Sequence, residues 1–131
     1  ILRYPHSFVA SDSTCINDGV CHPRVFGTFP RILSRFVREK KVISLPTAIK
    51  KMTSMPAKRF ELNGKGLIKE GFDADLVVFD ANTINDGATY ESPKLYPSGV
   101  SHIFVNGTLS VENGNYLGTA AGKVIKNEKS T

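Results

Sequence analysis

The chain has no tryptophan, only two methionines and two cysteines among its 131 residues. No apolar stretch approaches the roughly 20 residues that a membrane-crossing helix requires, which excludes a helical membrane protein. The opening segment, ILRYPHSFVAS, lacks the charged-then-apolar layout of a secretory leader, so a cytoplasmic location is expected. There is no internal repeat and no low-complexity tract, which removes solenoid and disordered architectures. Cys15 and Cys21, even taken with His6 and His22, match no structural zinc spacing. The two cysteines could approach each other, but in a chain without a secretion signal both are expected to be free thiols.

What is present fits one globular domain. Hydrophobic residues make up 40% and charged residues 22%. A domain of this length buries about two-thirds of its unfolded surface. The net charge is +5, but the basic residues are dispersed, and the densest clusters, RFVREKK and IKKM, come with no aromatic or glycine-rich motif. They read as solvated helix faces, and no nucleic-acid partner is expected.

The pattern along the chain is uneven. Residues 6–11 (HSFVAS) suit a buried strand that ends at Asp12, and a side chain at the C-terminal end of such a strand points into the mouth of a parallel sheet or barrel. Residues 13–29 are rich in turn formers and are expected to be irregular. From Pro30, the spacing of Ile32, Leu33, Phe36 and Val37 predicts an amphipathic helix. Ser44 can cap a second helix with Pro46 in its first turn and Ala48, Ile49 and Met52 on its apolar face. Pro56 interrupts it, AKRFEL suggests a further short helix, and Met52 and Met55 read as core filler.

After residue 63 the period changes to short runs of Val, Ile and Phe divided by Gly, Asn and Asp. GLIKEG, ADLVVFD, VSHIFVNG, LSVENG and GKVIK are expected strands of an antiparallel sheet, with an Asn-Gly hairpin in VNGTLSVENG. Asp73, Asp75 and Asp80 read as turn formers facing solvent. The stretch ANTINDGATYESPKLYPSG is a long connection expected to wrap over the surface. A lone strand beside helices cannot pair its own backbone groups, so the first third looks like the end of something larger.

The run ASD, then HPRVFGTFPRIL, SLPTAIKKMTSMPAKRFEL, GKGLIKEGFDADLVVFD and VSHIFVNG, resembles the C-terminal portion of N-acyl-D-amino-acid deacylases. These are the D-aminoacylase branch of the metal-dependent amidohydrolase superfamily. The later pieces mark only the superfamily; HPRVFGTFPRIL narrows the likeness to the branch. The resemblance implies an α+β fragment: the last strand and helices of a (β/α)8 barrel in residues 1–62, followed by antiparallel strands of a small β-sandwich in residues 63–131.

It further implies that Asp12 is the general base of amide hydrolysis, and at most a secondary metal ligand. Arg24 would bind the carboxylate of an N-acyl-D-amino acid, with His22 as a further substrate contact. These roles suit the chemistry. Zinc lowers the pKa of bound water to about 7, a carboxylate can shuttle the proton, and a guanidinium grips a carboxylate through two parallel bonds. The plainer alternatives are a helix or turn cap for Asp12, a surface or interdomain salt bridge for Arg24 and a hydrogen-bonding strut for His22; Ser11 could orient Asp12 or be a plain strand-end serine, and Gly27, Phe29 and Pro30 read as structural.

The family's His-x-His pair and other metal ligands fall outside the region of likeness, and His6, His22 and His102 match none of them. Zinc is therefore expected in a full-length parent and not in this chain, which by itself is expected to be inactive and to self-associate through its unpaired edges. Two rival readings are a piece of a dihydroorotase-like or dipeptidase-like amidohydrolase, and a non-catalytic binding or structural module.

Overall fold

The computed structural model describes residues 1–14 and 21–125. Helix α1 spans Arg24–Arg31 and runs directly into a wider, π-type helical segment, Ile32–Glu39. α2 is Leu45–Met52 and α3 is Ser54–Arg59. Four strands follow: β1 Leu76–Phe79, β2 Val100–Val105, β3 Thr108–Glu112 and β4 Asn115–Tyr116. They form one antiparallel sheet in chain order.

The first helix begins six residues before the expected Pro30, because the initiating proline is Pro23. Its ring holds φ at −52°, already helical, and its carbonyl accepts the Gly27 N–H at 2.9 Å. Pro30 therefore lies inside the helix, where it has no N–H to donate and its ring crowds the carbonyl four residues back. The chain widens immediately afterwards: the Lys40 N–H reaches the Arg35 carbonyl, five residues away, at 2.9 Å. α2 forms as the sequence indicates, with Ser44 Oγ accepting the Thr47 N–H at 3.3 Å and proline in the first turn. Thr53 breaks the path (φ −129°, ψ −88°), and Pro56 sits in the first turn of α3.

Ile32, Leu33 and Ala48 are buried together, with Phe36, Val37, Ile49 and Met52 packed against them. Those are the apolar positions that the helical spacing selected. Ala48 is fully inaccessible, so its small side chain sets how closely α2 approaches the π-type segment. The fourth buried member of this core, Ile84, comes from the long connection between β1 and β2.

That connection does not merely wrap the surface. Ile84 and Ala88 are buried, Asn85 and Ser98 pair in an isolated antiparallel bridge, and the Asp80 N–H bonds the Gly99 carbonyl at 2.9 Å. Gly99 (φ +79°) closes the base of the loop. An added Cβ there would stand 2.5 Å from the Ile84 backbone nitrogen. Arg38 reinforces the closure by donating to the carbonyls of Ile84 at 2.7 Å and Ala81 at 3.2 Å.

The Asn106-Gly107 hairpin forms as expected, with both residues at positive φ (48° and 77°), the backbone of a type I′ turn. Asn113-Gly114 repeats the device and adds β4. Other expectations are not met. Residues 6–11 form no strand, because no neighbouring strand is present among the described residues to receive their backbone groups; the Val9 N–H bonds the Lys51 carbonyl instead, at 3.2 Å. GLIKEG curls into turns between Gly66 and Gly71, both at positive φ. The described part of GKVIK, residues 122–125, forms no strand. In the IKKM cluster Lys50 is solvated but Lys51 is buried.

Cys21 is buried and carries no free thiol, contrary to expectation, while Cys15 lies outside the described residues. No helix among the described residues is long and apolar enough to cross a membrane.

Of the three aspartates read as turn formers, Asp80 does form a local turn, its Oδ1 accepting the Asn82 N–H at 2.8 Å. Asp73 and Asp75 instead converge on Lys65. Asp75 Oδ1 also accepts the Asn106 N–H at 2.8 Å, tying the approach to β1 to the β2–β3 turn. Hydrogen bonding to Lys65, then to the Asn106 amide, lowers the Asp75 pKa, and the same carboxylate raises that of Lys65.

Both the loop base and the lysine cluster can be tested by substitution. Gly99→Ala should destabilise the chain by about 2 kcal/mol or more, read as a lower urea midpoint, since it combines left-handed strain with a backbone collision. For the Lys65–Asp75 pair, the depressed carboxylate contributes stability above its ordinary value of 3.8, lost as pH falls through the lower folded value. The raised amine contributes below its ordinary value of 10.5 and loses this as pH rises through the folded value. Asp75→Asn should therefore reduce the Tm at neutral pH and converge with the parent chain below the titration of Asp75; an equal difference at acid pH would contradict the assignment.

Candidate active site

The three residues singled out in the sequence come together at the start of α1. Asp12 sits in the left-handed region (φ 47°), which few residues other than Gly, Asn and Asp adopt. Its Oδ2 lies 3.0 Å from Arg24 Nη2, with Asp12 80% and Arg24 39% exposed. An exposed pair of this kind contributes little to stability, so both groups remain available to a better partner. Arg24 Nε is buried and among the described residues has no hydrogen-bond partner, leaving the guanidinium with unmet donor capacity.

His22 is attached to the same residue through the backbone. Its Nδ1 accepts the Arg24 N–H at 3.0 Å, satisfying one of the amides that a helix start leaves without a partner. Nδ1 is thus the acceptor nitrogen, and Nε2–H donates to the Tyr90 hydroxyl at 3.0 Å. The rings of His22 and Tyr90 meet edge to face, 5.2 Å between centroids. The strut expected as the plainer role of His22 is present, and the salt bridge expected as the plainer role of Arg24 is made to Asp12 itself. Ser11 does not orient Asp12; its hydroxyl bonds that of Ser13 at 2.9 Å.

No local pattern in ATYES marks Tyr90 as a member of this cluster. It arrives because the long connection is fastened to α1. Arg31 pairs with Asp86 and donates to the Ala88 carbonyl at 3.4 Å, and Phe26 meets Tyr96 edge to face at 5.3 Å. Gly27 permits the approach: a Cβ there would stand 2.9 Å from Asp86 Oδ2. The structural reading of Gly27 therefore holds, for a reason that only the folded chain supplies.

Among the described residues no three His, Cys, Asp or Glu side chains converge as metal ligands. His6 packs against Tyr4, and His102 on β2 stacks on Phe104, with Glu112 4.0 Å away. The cluster offers a carboxylate for proton transfer, a guanidinium for an anion, and an imidazole whose tautomer is set by the backbone. Nitrogen-15 spectra of the neutral His22 imidazole should show a protonated Nε2 and an unprotonated Nδ1, and Tyr90→Phe should leave that tautomer in place while speeding exchange of the Nε2 proton. The opposite tautomer would rule out the Arg24 N–H contact.

Relatives of known activity share this region. A model described as the amidohydrolase family matches residues 2–111. The chain is 39% identical over 125 residues to a D-aminoacylase of Alcaligenes xylosoxydans xylosoxydans, covering 95% of this chain and 26% of that relative. It is 46% identical over 107 residues to an N-acyl-D-glutamate deacylase of the same organism, covering 82% and 22%. A solved D-aminoacylase, determined in connection with its binuclear metal center, superposes with a TM-score of 0.89 at 36% identity, covering 96% of this chain and 27% of the other. An N-acyl-D-glutamate deacylase from Bordetella bronchiseptica, complexed with zinc and a phosphonate mimic of the tetrahedral intermediate, gives 0.78 at 40% identity, covering 81% and 22%. The chain thus spans about a quarter of the length of the relatives it matches. With the family match running through the helices, the Asp12–Arg24 pair and most of the sheet, the chain belongs to the amidohydrolase family.

Proposed function

We propose that this chain is the C-terminal part of a metal-dependent hydrolase that cleaves N-acyl-D-amino acids to a carboxylate and a free D-amino acid. The observation that carries the reading is the 3.0 Å approach of Asp12 to Arg24, which sets a proton acceptor beside an anion-binding group. A substrate carboxylate would take the place of Asp12 on the guanidinium, forming two parallel charge-assisted bonds. Asp12 would then be free to accept a proton from the attacking water and deliver it to the departing amine. His22 would contact the same end of the substrate, anchored by Arg24 and Tyr90.

The described residues do not fit a zinc site. Asp12 brings one carboxylate, and both nitrogens of the imidazole in the cluster, that of His22, are already engaged. A metal like the zinc of the N-acyl-D-glutamate deacylase complex would be held by residues outside this chain, and we expect the chain alone to be inactive.

The architecture belongs to the same proposal: residues 1–62 as the end of a (β/α)8 barrel and residues 63–131 as strands of a small β-sandwich, in a cytoplasmic protein. Val77 and Val78, neighbours on β1 that point to opposite faces, are 55% and 48% exposed, so neither face of the sheet is well covered there. Among the described residues β1 and β4 are both edges, which supports self-association of the isolated chain.

The test is a chimera in which this chain replaces the matching segment of the Alcaligenes D-aminoacylase, assayed on N-acetyl-D- and N-acetyl-L-amino acids. Turnover of the D series is expected. Asp12→Asn should lower kcat about 10²- to 10⁴-fold. Arg24→Ala should raise KM about 10- to 100-fold, and Arg24→Lys should restore little of it. A folded chimera that keeps its kcat after Asp12→Asn, or that prefers the L series, would overturn the reading.

A further inference from the structure

The segment that carries Asp12 contributes no strand, and α2 supplies its principal anchor. Lys51, in the last turn of α2, is only 2% exposed, whereas Lys50 beside it is solvated. Its Nζ donates to the Tyr4 carbonyl at 2.6 Å, the Ser7 carbonyl at 2.9 Å and Ser7 Oγ at 3.0 Å, so its three N–H groups have three oxygen acceptors. The Lys51 carbonyl in turn accepts the Val9 N–H at 3.2 Å. One residue therefore holds the segment from both sides, through its side chain at residues 4 and 7 and its backbone at residue 9.

Burying an amine here is costly. Among the described residues no carboxylate pairs with it, and an apolar side chain of the same length would pack in that space without desolvation. What an apolar residue could not do is bind the three oxygens. The Val9 N–H is the backbone bond to α2 that stands nearest before Asp12, and three residues of chain reach at most about 10 Å. Beyond it, the side-chain hydrogen bonds and ion pairs among the described residues of this segment are the Ser11–Ser13 bond and the Asp12–Arg24 pair.

We infer that Lys51 is a positioning residue for Asp12: its ammonium, buried under α2, fixes the Tyr4–Val9 segment so that the carboxylate emerges beside Arg24. The inference rests on the reading of Asp12 as the proton acceptor for its catalytic consequence, but the placement itself can be measured without turnover.

In the purified chain, Lys51→Met keeps the stem and removes the three donors. It should speed amide exchange at Val9 about 10-fold and move the Asp12 carboxyl carbon resonance away from its paired value, while exchange in the β2–β3 hairpin stays unchanged. In the chimera the same substitution should lower kcat about 10-fold with KM within about twofold. Should the Lys51→Met variant fail to fold, Ser7→Ala, which removes one acceptor, should shift the same Val9 and Asp12 signals by a smaller amount. Unchanged Val9 exchange and an unchanged Asp12 resonance in the folded variant would overturn the inference, even if Asp12→Asn abolishes activity. Signals that move, in a chimera that stays fully active after Asp12→Asn, would support the clamp and overturn the catalytic reading of Asp12.

Discussion

Ile84 buried among Ile32, Leu33 and Ala48 is the contact on which both core and site depend. It draws a connection of about twenty residues out of the sheet-forming half and seats it among the helices. The close approach at Gly99 makes this possible, since it brings the two ends of the connection together beneath Ile84. With the loop base closed, Asp86 can reach Arg31, Tyr96 can meet Phe26, and Tyr90 arrives over His22. The apolar contact supplies the driving force, and the polar contacts select the orientation.

A second set of constraints works from the other side of the cluster. The N-terminal segment has no sheet to join among the described residues, so its backbone groups are served by a helix: Lys51 binds carbonyls from residues 4 and 7 and accepts the amide of residue 9. Asp12 thus approaches α1 from a segment held by α2, while His22 and Tyr90 approach from the helix start and the returning connection. Asp12 and His22 meet at Arg24, and Tyr90 joins them through His22. Among the described residues the Arg24 Nε finds no hydrogen-bond partner there, which leaves donor capacity on the guanidinium.

The membership in the amidohydrolase family and the span of about a quarter of its relatives' length give these features a common setting. Exposed apolar side chains on β1, and an N-terminal segment without strand partners among the described residues, are costs that a larger assembly of elements would remove.

Local chemistry made several elements legible. Ser44 and Pro46 announce α2, the spacing of Ile32, Leu33, Phe36 and Val37 marks a buried helical face, and Asn106-Gly107 specifies a hairpin, because caps, helical period and left-handed turns depend only on near neighbours. The motif residues Asp12, His22 and Arg24 were legible as a group, though not their direct pairing. What the sequence could not determine was which proline started α1, that Lys51 would be buried while Lys50 was not, and that Tyr90 would join the site. The last two were decided by partners distant in sequence: the Tyr4 and Ser7 oxygens for Lys51, and α1 for the connection carrying Tyr90, with the packing of Ile84 seating the loop as a whole. Periodicity reports which face of an element is apolar. Only the assembled tertiary structure determines what lies against that face, and therefore which polar groups are compelled to find partners there.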